Sequence, residues 1–196
     1  MLFRSAAGAK LARWRRRSSS ASISVRLTGV LGSEWRATVT PWGDLIGADD
    51  SSSVRWFVAA DDRWYRPASE VAVRQRQVDG APVFETRLRV PGGDVVQRVW
   101  SASGERGRDF TVFEFENDSP MPVVVAMSNA RLVSTRELVA QPARGLGEDM
   151  PVVVPIGHRS RIRLALPHDA SFEGCWPGDV ADWSAVARRS EEHTSE

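Results

Sequence analysis

The chain has one cysteine, one tyrosine and, at Lys10, one lysine among its 196 residues. Cys175 on its own excludes an internal disulfide, and it has no CxxC or Cys/His companions that would suggest a metal site. It reads as a small apolar packing residue. Arginine supplies nearly all the positive charge, and basic and acidic residues almost cancel at a formal net charge of +1. Such a balance gives no global field to recruit nucleic acid or an anionic membrane, so neither is expected as a partner. Long apolar runs are also missing. The longest, Val123 to Met127, is strand-sized and far short of the roughly 20 residues of a membrane-spanning helix, and a cytoplasmic location is expected.

Chemistry-bearing patterns are equally sparse. There is no nucleophile elbow, no Ser/His/Asp order, no phosphate-cradling glycine loop and no metalloprotease motif. His158 and His168 stand too far apart, beside turn residues, to suggest metal ligation. No catalytic residue, metal or cofactor is therefore expected.

What the sequence does contain is a period of two. Phe84, Thr86, Leu88 and Val90 alternate with Glu85, Arg87 and Arg89, and Pro91-Gly92-Gly93-Asp94 follows as a turn. Val96 and Trp100 flank Arg98 on the next segment. Thr111, Phe113 and Phe115 alternate with Val112, Glu114 and Glu116 until Asn117-Asp118-Ser119-Pro120. Val123 to Met127 lacks alternation and reads as an inner strand, and Arg159 to Leu166 reads as a last strand with Ile162, Leu164 and Leu166 inward. Asp79-Gly80, between two apolar-rich runs, is the strongest hairpin signal in the chain. Short strands at this spacing predict an all-β fold, an antiparallel β-sandwich of super-sandwich type. A short helical stretch follows Pro177, with Val180, Trp183 and Val186 on one stripe, while the loop from Gln141 to Met150 is expected to be exposed and mobile.

The two ends read differently from the middle. Arg189 to Glu196, RSEEHTSE, resembles letter for letter the in-frame translation of a sequencing adaptor, and Leu2-Phe3-Arg4-Ser5 resembles the end of the opposite one. Foreign segments have to be set aside before fold reasoning, so His193 and the acids beside it are not read as a site. The expected organisation is adaptor-like residues and a basic, disordered leader over 1–22, a β-sandwich over 23–176, a helical linker over 177–188 and an adaptor-like tail over 189–196.

Two groups of residues remain as candidates. Asp44, Asp61 and Asp62 lie in turns near aromatics, where they serve either as turn formers or as the paired carboxyls that glycoside hydrolysis needs. Tryptophan is enriched, with eight in the chain. Trp42, Trp56, Trp64 and Tyr65 are the candidates for a carbohydrate-stacking surface or a domain interface. In Trp56-Phe57 and Trp64-Tyr65 adjacent rings point to opposite faces of a strand, so one ring of each pair is expected outside the core.

The stretch from Trp35 through Pro167 resembles a known plan, above all in Ala37-Thr38-Val39-Thr40-Pro41-Trp42-Gly43-Asp44-Leu45, Val58-Ala59-Ala60-Asp61-Asp62-Arg63-Trp64 and Glu114-Phe115-Glu116-Asn117-Asp118-Ser119-Pro120. It is similar to the N-terminal β-sandwich of actinobacterial proteins related to six-hairpin glycosidases, of glucoamylase-like and glycogen-debranching type. That resemblance implies a sandwich preceding an (α/α)6 barrel that carries the acid and base. It implies a non-catalytic, structural part of a carbohydrate-active protein, with a helical-barrel domain of the same chain as its partner. The alternative is an autonomous carbohydrate-binding or interaction module.

Overall fold

A computed structural model describes residues 26–194 apart from 105–106, 137, 139–142, 144, 147–149, 175, 177 and 179, and gives 189–194 by backbone alone. The basic leader, Cys175 and the side chain of His193 lie outside the described residues.

The period-two segments form strands that pair antiparallel throughout. In chain order these are β1 (Arg26–Thr28), β2 (Ala37–Val39), β3 (Leu45–Ile46), β4 (Trp56–Ala60), β5 (Arg63–Tyr65), β6 (Val73–Gln77) and β7 (Phe84–Val90). They continue as β8 (Gly93–Ser103), β9 (Asp109–Asn117), β10 (Val123–Met127), β11 (Val133–Ser134), β12 (Val152–Ile156) and β13 (Arg161–Pro167), and the helix α1 (Trp183–Thr194) follows. A six-stranded sheet runs β11-β13-β9-β8-β7-β6, a four-stranded sheet β12-β10-β4-β5, and a three-stranded sheet β1-β2-β3. The fold is the all-β sandwich that the alternation predicts.

Turn chemistry sets the register. Asp79 and Gly80 take φ of 47° and 71°, the left-handed conformations that Asp and Gly tolerate, and β6 and β7 close with Gln77 opposite Phe84. Gly92, at φ 81°, turns the chain after Pro91 so that Val90 faces Gly93 across β7 and β8. With the register fixed, alternate residues face the main core, where Trp56, Phe113, Phe115, Leu88 and Leu164 are fully buried between the two larger sheets.

The outward faces are covered too. Under the loop before β12, Phe57 and Ala126 pack with Leu146 and Met150, so β10 is enclosed on both sides. Within the loop expected to be exposed, Gly145 is exposed but Leu146 and Met150 are 1% and 4% exposed, because Phe57 gives these apolar side chains a surface to bury. On the outside of the six-stranded sheet Trp100, Phe110 and Val112 pack beneath Val180, Trp183 and Val186. Trp100 Nε1 donates to the Ala181 carbonyl at 3.0 Å. The Ser184 amide donates to Asp182 Oδ1 at 3.0 Å, capping the first turn of α1, while Asp182 also pairs with Arg163 of β13. The helical stretch is thus docked on the sandwich itself, and its backbone continues as helix to Thr194.

A row of alternating charge crosses the same outer face. Arg76, Glu85, Arg98, Glu114 and Arg163 stand directly opposite one another on β6, β7, β8, β9 and β13. Arg98 Nε donates to Glu85 at 2.9 Å, and its Nη1 to Glu114 and Glu116 at 3.0 and 2.8 Å, under the Trp183 ring at 5.0 Å. Glu114 is fully buried and Glu85 is 2% exposed, so each depends on its arginines for compensation.

Candidate functional site

The Thr40-Pro41-Trp42-Gly43-Asp44 turn joins β2 to β3 and folds onto the core. The Gly43 amide donates to the Thr40 carbonyl at 2.9 Å, and the Asp44 amide to Thr40 Oγ1 at 2.9 Å. Gly43 has φ 90°, and a Cβ there would come within 2.1 Å of Gln97 Oε1 and 2.9 Å of Trp56 Nε1, so only glycine fits. Trp56 Nε1 in turn donates to the Trp42 carbonyl at 3.0 Å.

This packing buries Asp44. Its Oδ2 accepts from Trp42 Nε1 at 2.7 Å. Burial pushes the Asp44 carboxyl up to about 6, against the opposing pull of the Trp42 bond, a Trp56 backbone bond and the Arg55 charge. A carboxyl near that value has the proton affinity of a general acid or base. Its cavity, of about 130 Å³, is lined by Arg55, Trp56, Phe57, Arg66 and the 67–69 turn, with no second carboxyl among the described residues.

Asp61 and Asp62 open on a different cavity, of about 570 Å³, with Arg63, Trp64, Arg66 and Gly145. Both aspartates are exposed, and Asp61 has φ 58°, so the turn between β4 and β5 accounts for it. The three aspartates therefore do not converge.

The four ring candidates separate in the same way. Trp56 and Tyr65 are 1% and 6% exposed in the main core, so no exposed row of Trp64, Tyr65 and Trp56 forms. The outward ring of the first pair, Phe57, is sealed under the Leu146 loop. Trp64 is half-buried and borders the 570 Å³ groove. Trp42 is half-buried, with its N–H committed to Asp44.

A further constellation had no short-range signal in the sequence. Trp35 stacks on His168 with centroids 3.6 Å apart and planes 11° off parallel. His168 Nε2 meets Thr111 Oγ1 at 3.0 Å, Thr111 meets Ser101 Oγ at 3.0 Å, and Ser101 meets Thr28 Oγ1 at 2.7 Å. Burial lowers the His168 imidazole to about 4, with Asp109 opposing, so the ring is neutral near pH 7 and a weak base. The chain of hydroxyls ties β1 to β8 and β9. Thr28 and Ser101 also reach a largely apolar cavity of about 580 Å³ whose lining includes Leu27, Val30, Leu31 and Val186 beside Arg36 and Ser103.

No protein-family model, curated protein or solved structure matches the chain. Among the described residues no group of His, Cys, Asp and Glu is placed to hold a metal ion, and no helix is long and apolar enough to cross a membrane.

Proposed function

We propose that this sandwich is the non-catalytic, domain-packing part of a carbohydrate-active protein of the six-hairpin glycoside hydrolase plan, with a helical-barrel domain of the same polypeptide as its partner. The observation that carries the reading is the apolar cavity beside β1, bordered by Leu27 and Leu31, which are 58% and 100% exposed. Apolar relief of that kind is what a neighbouring domain covers. The resemblance over Trp35 to Pro167 supplies the kind of neighbour.

A second reading, a free sugar-binding module, is favoured by one feature: the half-buried Trp64 shares its groove with Asp61, Asp62 and Arg63, an aromatic face flanked by hydrogen-bonding groups. Two measurements on the full chain separate them. The packing reading expects concentration-dependent self-association that Leu27→Glu with Leu31→Glu abolishes, and no α-glucan binding. A monodisperse wild-type monomer, or saturable glucan binding lost on Trp64→Ala, overturns it.

A further inference from the structure

At the open edge of the six-stranded sheet, Arg74 of β6 stands directly opposite Arg87 of β7. Two like charges facing each other across an antiparallel pair repel, and sheets normally place opposite charges there. Arg89 lies two residues on from Arg87, on the same outer face. These three arginines line one cavity of about 380 Å³ with Ala72 and Asp94.

The neighbouring acids do not neutralise the cluster. Asp94 pairs with Arg89 at 3.1 Å. Glu85 pairs with Arg87 at 3.0 Å but also with Arg76 at 2.9 Å and Arg98 at 2.9 Å. The Arg74 side chain makes no hydrogen bond or ion pair among the described residues. The arginine row farther along the sheet is matched by Glu114, Glu116 and Asp182, so the excess positive charge collects at this edge.

We propose that the hollow over Arg74, Arg87 and Arg89 binds a small phosphorylated ligand, with the guanidinium groups of Arg74 and Arg87 closing on its dianionic oxyanion. Arginine suits that role because its planar fork gives paired donors to tetrahedral oxyanions. The cavity holds a single small ester, with Asp94 available to accept from a ligand hydroxyl. The site is separate from the Trp64 groove and the Leu27–Leu31 face, and it stands or falls independently of the domain-packing reading.

Titrating the full chain with inorganic phosphate, glucose 6-phosphate and glucose, at ionic strength matched with chloride, tests it by thermal shift and calorimetry. Saturable stabilisation by phosphate and by the sugar phosphate, absent with glucose, is expected. Tighter binding of the ester identifies a sugar phosphate as the ligand, and equal binding identifies the free oxyanion. Arg74→Gln should weaken binding at least tenfold and, because it removes the facing charge, leave the unliganded melting temperature unchanged or higher. No saturable effect in the wild type, or equal binding by Arg74→Gln, overturns the proposal. So does a lower unliganded melting temperature in that variant, since it would mean that Arg74 serves the fold.

Discussion

Replacing Arg98 with methionine tests the outer charge row most sharply. Methionine keeps much of the stem that packs under Trp183 but removes the three bonds to Glu85, Glu114 and Glu116. Glu85 would keep Arg76 and Arg87, which are 59% and 41% exposed, and Glu114 would keep only Arg163 at 2.8 Å. Stranding a buried partner of an ion pair costs about 3–5 kcal/mol; with these remaining partners we expect about 3 kcal/mol near neutral pH. That is a large share of the roughly 5–15 kcal/mol that a domain has to lose. The penalty has a pH signature. Burial pushes Glu85 and Glu116 up, but bonds and charges from the arginines outweigh it and leave both below the ordinary value of 4.5. Their stabilisation is present above that value and is lost as pH falls through the lower folded value. Urea melts of wild type and Arg98→Met should therefore differ by about 3 kcal/mol at neutral pH, and the gap should shrink in acid as the stranded carboxylates protonate. A gap below about 1 kcal/mol, or one of equal size at both pH values, would mean that Arg98 does not compensate the buried carboxylates.

Asp44, raised to about 6, contributes stability below its unfolded value of 3.8 that is lost as pH rises to about 6. Asp44→Asn keeps the acceptor for Trp42 Nε1 and should raise stability at neutral pH without raising it in acid; a loss at neutral pH contradicts the assignment. His168, lowered to about 4, works in the opposite direction: its contribution is complete above 6.5 and is lost as pH falls from 6.5 towards 4. Its imidazole resonances should titrate near 4, and a midpoint near 6.5 would show that the ring is not held under Trp35. Gly43→Ala combines a left-handed backbone with a 2.1 Å approach to Gln97 and should cost roughly 2 kcal/mol or more in a denaturant melt. A cost under about 0.5 kcal/mol would mean that the turn is not pressed on the core.

The meander from β6 to β9 was legible because its turns are local. Once Pro91-Gly92 sets Val90 opposite Gly93, Glu85 has to fall opposite Arg98, and the neighbouring pairs Arg76–Glu85 and Arg98–Glu114 likewise join strands consecutive in the chain. The last pair of the charge row, Glu114 with Arg163, depends on β13 pairing with β9, a contact between distant segments that no turn residue announces. Adjacent rings did take opposite faces, as the period of two requires. The fate of the outward ring was not readable, because Leu146 and Met150 sit in a stretch without periodicity and pack on Phe57 only once the sandwich exists. The stripe of Val180, Trp183 and Val186 marked a half-buried packing face, but what it covers, Trp100 and its neighbours, is set by tertiary packing. The stack of His168 on Trp35 has the same character, joining residues on either side of most of the chain.

The domain-packing proposal has the sandwich pack against a catalytic neighbour and perform no hydrolysis itself. Its most direct test is release of reducing ends from α-glucan by the purified full chain near pH 6, where the Asp44 carboxyl is half-protonated. Release no greater than in an enzyme-free blank is expected. Sustained turnover that disappears in Asp44→Asn would contradict it.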